Sequence, residues 1–168
     1  VEGVINNLAS MKNGADLAHE FGCEQFIFIS SDKAVRPAGV MGATKRIGEL
    51  YVQSLNSQSE CSFFAVRFGN VFGSSGSLVP NIIKRIRQGE PVQITHPDMT
   101  RYFMLLPEAV SLILQACLHA KGGEGFTLDM GNPVKVVDLV KDLILLLERQ
   151  PEIDVPIEFI GPRPGEKL

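Results

Sequence analysis

Apolar residues along this chain recur with two different periods, and the changes from one to the other mark its elements. Val1, Val4, Ile5, Leu8, Met11, Ala15 and Ala18 return at helical intervals, which predicts an amphipathic helix over 2–21 that Gly22 can end. Phe26, Ile27, Phe28 and Ile29 make a short apolar run rich in aromatic and β-branched residues, the mark of a buried strand, and it stops at Ser30 and Ser31. After Pro37 the spacing turns helical again through 47–51, placing Met41 and Lys45 one turn apart on the same face. A second strand is predicted over 63–68, a helix over 78–88, a turn over 89–91 and a short strand over 92–94. Residues 95–104 read as a loop closing on another short strand. Pro107, with its fixed φ and missing donor, suits the first turn of a helix that runs to residue 120 and is broken by Gly122, Gly123 and Gly125. Residues 126–130 alternate as a strand, 137–149 carry an amphipathic helical pattern, and 157–160 form a last strand before GPRPGEKL. Strands alternating with helices predict an α/β fold with a parallel sheet.

Composition narrows the classes of partner. With 45% apolar and 21% charged residues in 168, the chain is ordinary globular material able to bury a core. A net charge of −3 gives no general attraction to nucleic acid or an anionic membrane. Cys23, Cys61 and Cys117 are odd in number and widely spaced in apolar segments, which predicts buried free thiols in a reducing compartment. They share no metal-ligand spacing with His19, His96 and His119. No window reaches the roughly 18 apolar residues of a membrane span. The amino end, with Glu2, Asn6, Asn7 and Lys12, is too polar for a signal peptide. It also lacks an initiator methionine.

Candidate chemistry gathers after the first predicted strand. In an open α/β sheet, ligands bind beyond the carboxyl ends of strands, and Ser30, Ser31, Asp32 and Lys33 would lie there. Asp32 and the serines are equally at home as turn or cap residues. Lys33 as a base needs a lowered pKa, from desolvation or a nearby cation such as Lys45, and a solvated lysine is the alternative. The glycines of GNVFGSSGS at 69–77 follow a strand and precede a helix, but their GxxxGxxG spacing is not the dinucleotide GxGxxG, and Pro80 sits in the first turn. A plain tight turn is the other reading of that loop.

The run SSDKA at 30–34, the helix carrying Lys45, and RFGNVFGSSGS at 67–77 resemble the extended short-chain dehydrogenase/reductases. Within them the match is to nucleotide-sugar 4,6-dehydratases of bacterial polysaccharide and protein-glycan synthesis. Met41 stands where most of that superfamily has tyrosine, which looks like the large, membrane-anchored branch of UDP-N-acetylglucosamine 4,6-dehydratases. The resemblance spans 7–167. It implies an α/β fold comprising the C-terminal part of a Rossmann-like doubly wound domain over 1–69, without the N-terminal half of the sheet, and a small α/β UDP-sugar-binding region over 70–168. It implies Lys33 as base at C5 of the sugar, Asp32 as acid at C6, Ser31 as partner of the C4 oxygen and Lys45 on the cofactor ribose. A thioether takes no proton, so Ser31 or Asp32, directly or through water, would assume the tyrosine's task at Met41, which is otherwise a core residue of its helix. NAD or NADP is the implied cofactor, approached by Ser30, Lys45, Phe68, Gly69 and Val71. The UDP-sugar is approached by Asn70, Leu78, Val79, Arg101, Arg163 and Glu166, the two arginines being ordinary surface charges in the alternative reading. Asn7 and Asn13 match two family asparagines, whereas Ser10 and Met11 depart from the Gly-Thr between them.

The resemblance further implies a cytoplasmic location, with the whole protein anchored at the inner membrane, and a homo-oligomer. Because the phosphate-binding glycine turn is absent and an apolar face is left uncovered, the chain alone is expected to bind NAD weakly and to dimerise, swap elements or order only in part. A nucleotide-sugar epimerase is the first rival; it would want tyrosine at 41 and no Asp32–Lys33 pair. A fragment that only binds UDP-sugar or a partner chain is the second.

Overall fold

The structure, a computed structural model, describes residues 2–74 and 77–167. In chain order these form α1 (Glu2–Val4), a π-helical segment (Ile5–Ala9), α2 (Ser10–Glu20), β1 (Gln25–Ile29), a 3-10 turn (Asp32–Ala34), α3 (Val40–Asn56) and β2 (Ser62–Arg67). There follow β3 (Asn70–Val71), α4 (Leu78–Gln88), β4 (Val92–Ile94), β5 (Thr100–Arg101), β6 (Phe103–Met104) and α5 (Leu106–His119). The chain closes with β7 (Gly125–Thr127), β8 (Val134–Lys135), α6 (Val136–Leu146) and β9 (Ile157–Phe159). Two compact units result: residues 1–69 with 107–129, and residues 70–106 with 130–168. A single boundary after residue 69 therefore does not describe the chain, because α5 and β7 group with the first 69 residues.

The first unit is a parallel sheet in the order β1-β2-β7, with Ile29 opposite Val66 and Val66 opposite Phe126. Its central strand is buried on both faces, as strands of parallel sheets are, and Phe63, Phe64, Ala65 and Val66 have no accessible surface. On one face Phe28, Phe63 and Ala65 pack with Ala15 and Ala18 of α2 and Val52 of α3. The predicted end of the first helix is a Schellman motif. Cys23 N–H donates to Ala18 O at 3.0 Å and Gly22 N–H to His19 O at 3.3 Å, around Gly22 at φ 64°. Cys61 is buried as expected and Cys117 partly so, but Cys23 is exposed, since it lies just past that turn rather than in the strand. Leu106, Val110, Leu114 and Leu118 recur every fourth residue on α5 and are all exposed.

The second unit has its own core, in which Ile82 and Ile86 of α4 meet Val92 and Ile94 of β4, Val136, Val140 and Ile144 of α6, and Ile157 of β9. β4 and β9 pair in parallel, β3 with β6 in parallel, and β5 with β8 antiparallel. Of these, β3, β5 and β8 fall where the pattern predicts no strand; each is two residues long. Among the described residues, no helix is long and apolar enough to cross a membrane and no cluster of His, Cys, Asp and Glu could hold a metal ion.

Close approach of α3 to β1 requires glycine at position 48. A Cβ there would lie 2.6 Å from Phe28 Cζ and 2.7 Å from its Cε1, inside a buried ring. Gly48→Ala should therefore destabilise the protein by about 1–3 kcal/mol through overpacking, despite alanine's better helix propensity. A lower denaturant midpoint checks this; an unchanged or raised midpoint would show that Phe28 yields freely.

Candidate active site

The polar residues after β1 form a tight turn held against the neighbouring strand. The parallel ladder outlasts both strands: Ser30 N–H donates to Val66 O at 2.8 Å and Asp32 N–H to Phe68 O at 3.1 Å. Ser31 caps the 3-10 turn, its Oγ accepting from Lys33 N–H at 3.3 Å, and Ala34 N–H closes on Ser31 O at 3.0 Å. Asp32 does act as a turn residue, yet its side chain does more. Its Oδ1 accepts from Ser31 Oγ at 2.8 Å and from Lys33 Nζ at 2.9 Å. The Asp32 and Lys33 side chains are 24% and 37% exposed, so both are reached by solvent.

α3 rises beside this turn. A Cβ on Gly42 would lie 2.2 Å from Lys33 O, so the helix rests directly on the turn's backbone at a position only glycine fills. Lys45 reaches the end of β1, donating from Nζ to Ile29 O at 2.9 Å, with the ammonium 5.0 Å from the centre of the Phe28 ring. Burial lowers its pKa from the usual 10.5. Met41, one turn earlier, is 47% exposed, which sets aside the reading of it as a core residue of this chain. Asn7 lies in the π-helical segment, a feature often found at functional sites, and its Nδ2 donates to Thr44 Oγ1 at 3.0 Å. Thr44 Oγ1 in turn donates to Met41 O at 2.8 Å, so Asn7 supports the first turn of α3. Asn13 is exposed.

Sequence patterns missed the residue beneath this site. Ser30 does not turn its hydroxyl outward; Oγ donates to Glu49 Oε1 at 2.6 Å. Glu49 is 1% exposed and also takes Arg67 side-on, Nε to Oε1 and Nη2 to Oε2, each at 2.6 Å, with Arg46 Nη1 on Oε2 at 2.9 Å. Burial pushes this carboxyl's pKa up, but the hydrogen bonds from Arg67, Ser30 and Arg46 and the charge of Arg67 outweigh it, leaving the pKa below its usual 4.5. The one local signal was helical phase, which puts position 49 on the face that buries Gly48 and Val52.

In the second unit the residues expected to meet a nucleotide draw together in part. Arg101 Nη2 lies 3.3 Å from Glu166 Oε1, and Glu166 Oε2 accepts from Arg163 N–H at 3.2 Å, joining two motifs 65 residues apart. Arg101 Nη1 also donates to Thr100 O at 2.7 Å, while Arg163 is exposed. Asn70 N–H donates to Tyr102 O at 2.9 Å, and Val71 O accepts from Ser74 Oγ at 3.0 Å. Leu78 and Val79 form the half-buried first turn of α4, Leu78 packing on the unit's core. Phe68 and Gly69 end the first unit's part of this loop, and Ser75 and Gly76 of the glycine run lie outside the described residues.

A parallel sheet whose carboxyl ends carry a Ser-Asp-Lys turn and a helix-borne lysine defines a Rossmann-like α/β protein. The chain belongs to the polysaccharide biosynthesis protein family, whose sequence model matches residues 1–168. It is 56% identical over 168 residues to the capsular polysaccharide biosynthesis protein CapD of Staphylococcus aureus, covering 99% of this chain and 28% of that protein. Among solved structures it resembles Pen from Bacillus thuringiensis, with TM-score 0.85 and 34% identity over 96% of this chain and 50% of that one. A dTDP-glucose 4,6-dehydratase from Bacillus anthracis str. Ames, solved with NAD, shares the fold at TM-score 0.79 and 14% identity, over 96% of this chain and 58% of that one. The chain thus spans between about a quarter and three fifths of the length of these proteins.

Because Glu49 has a lowered pKa when folded, the unfolded chain takes up its proton first as pH falls. Its contribution to stability is complete above the usual 4.5 and is lost as pH drops through the folded value. Glu49→Gln should flatten the acid limb of melting temperature against pH while lowering the neutral plateau. An acid limb identical to wild type would mean that folding leaves the Glu49 pKa unshifted.

Proposed function

We infer that this chain carries the proton-transfer and nucleotide-sugar-binding parts of a 4,6-dehydratase acting on UDP-N-acetylglucosamine in polysaccharide synthesis. The observation that carries the reading is the single Asp32 oxygen shared by Ser31 Oγ and Lys33 Nζ on one half-buried turn. Removing water across C5 and C6 of a sugar needs a base and an acid side by side. Lys33 Nζ and Asp32 Oδ1, 2.9 Å apart, are the amine and the carboxyl that stand side by side here. The amine then takes the C5 proton, and the carboxyl gives its proton to the departing C6 oxygen, so that water leaves. Ser31 Oγ is the hydroxyl available to hold the C4 oxygen, a task for which Met41 offers no proton.

The first unit also fits the nicotinamide ribose of NAD or NADP. Lys45 keeps a half-buried ammonium at the carboxyl end of β1, with the exposed Met41 one turn away. When bound, the dinucleotide supplies reversible oxidation at C4, which makes the C5 hydrogen acidic. In the second unit, Arg101 and Arg163 are the cations suited to the diphosphate, with Glu166 ordering both of their segments. Membership of a polysaccharide biosynthesis family supports a sugar-nucleotide substrate of this kind.

The intact protein, given UDP-N-acetylglucosamine and NAD in deuterated water, should yield a 4-keto-6-deoxy product with deuterium at C5. Lys33→Ala and Asp32→Asn should each lower turnover by about 10²–10⁴-fold. Full dehydration by Lys33→Ala would remove it as the base. A product that keeps its C6 hydroxyl and inverts C4 would identify an epimerase instead.

A further inference from the structure

Glu49 is a buried carboxylate that the proposed chemistry leaves unused, and its partners sit at informative places. Ser30 is the residue after β1, immediately before the Ser31–Asp32–Lys33 turn. Arg67 is the last residue of β2, immediately before Phe68, whose carbonyl holds the Asp32 amide. One carboxylate on α3 therefore grips the residue preceding each of the two segments that meet at Asp32. Four donors, three at 2.6 Å and one at 2.9 Å, surround its two oxygens, leaving it little freedom to rotate or shift. The backbone bonds of Ser30 and Asp32 tie the two strand ends along the main chain, and Glu49 adds a tie through the side chains of Ser30 and Arg67. Arg67's guanidinium is planar and bound side-on, so it also fixes the angle at which β2 runs out. Exchanging a buried ion pair for apolar residues often costs nothing in stability, so its presence calls for a geometric explanation here.

We propose that Glu49 is a positioning residue, setting the spacing of the Ser31–Asp32–Lys33 turn from the Phe68 segment without touching a reacting atom. The catalytic consequence rests on the dehydratase reading above; the clamp itself does not. Glu49→Gln keeps the side chain's shape and removes its charge. Paired Glu49→Met and Arg67→Met remove both charges together, leaving only the part-exposed Arg46 and the Ser30 hydroxyl without the carboxylate, and serve as the second variant should the single one fail to fold. Val52→Ala, one turn further along α3 and fully buried, controls for loss of stability in general.

In the intact protein, hydrogen exchange followed by mass spectrometry should show peptides over 28–34 opening at least about tenfold more in the Glu49 variants than peptides over 62–66 of β2. Val52→Ala should accelerate both alike. Turnover of UDP-N-acetylglucosamine should fall about 10²-fold in Glu49→Gln with KM within about twofold, as expected when groups are displaced by about an ångström. Uniform acceleration in the Glu49 variants would overturn the clamp, and selective opening with unchanged kcat would overturn its catalytic role. Should wild type itself fail to convert the sugar, the dehydratase reading falls, while the exchange comparison still decides whether Glu49 positions the turn.

Discussion

The register between β1 and β2 is the constraint on which the rest of the first unit depends. Side chains on a strand alternate with a period of two, so a one-residue slip would exchange the faces of Phe28 and Ile29. It would also break the two bonds that extend the ladder past the strands, from Ser30 N–H to Val66 O and from Asp32 N–H to Phe68 O. Those two bonds are what place a polar turn at the sheet's edge instead of letting it trail into solvent. The apolar core therefore fixes the chemistry indirectly. Phe28 and Phe63 pack under α2 and α3, their burial selects the register, and the register sets where Asp32 begins its turn.

Polar interactions then refine what packing has selected. Gly42 and Gly48 let α3 lie against the Lys33 carbonyl and the Phe28 ring, bringing Lys45 and Glu49 to the sheet's end from one helix face. The two charged residues meet different fates there. Lys45 is partly stripped of water with a carbonyl and an aromatic face as its partners, so its pKa falls. Glu49 is stripped of water but surrounded by donors, so its pKa falls as well, which for an acid means that the charge is held. The same burial thus makes one group easier to neutralise and leaves the other ionised, because only the second is compensated.

Much of this was legible in the residues. The strand at 25–29, α4 and β4 follow from period and length, with boundaries within a residue of those predicted, and the helix carrying Met41 and Lys45 follows too, although it runs on to Asn56, five residues past the predicted pattern. β3, β5 and β8 were not legible, because two residues cannot display a period. Nor was the return of α5 and β7 to the first unit, since local pattern says nothing about which sheet an element joins. Ser31, Asp32 and Lys33 could be named from their motif, and Glu166 could be named without any sign that it would bond to Arg101 across 65 residues. Glu49 stayed hidden because an acid on an amphipathic helix ordinarily faces water, and its partners Ser30 and Arg67 lie 19 and 18 residues away.

The path of the chain adds a further consequence. It passes from one unit to the other three times, and the first crossing, between Gly69 and Asn70, falls within the Phe68–Val71 stretch expected to approach ligands. On one side of it, Phe68 O is held by the Asp32 amide in the first unit; on the other, Asn70 N–H is held by Tyr102 O in the second. Two residues apart, the backbone is thus anchored into different bodies. A stretch pinned in this way has less conformational entropy than a free loop of the same composition. The order of this segment therefore rests on one backbone bond within each unit, so a core substitution that loosens either unit also loosens its end of the stretch.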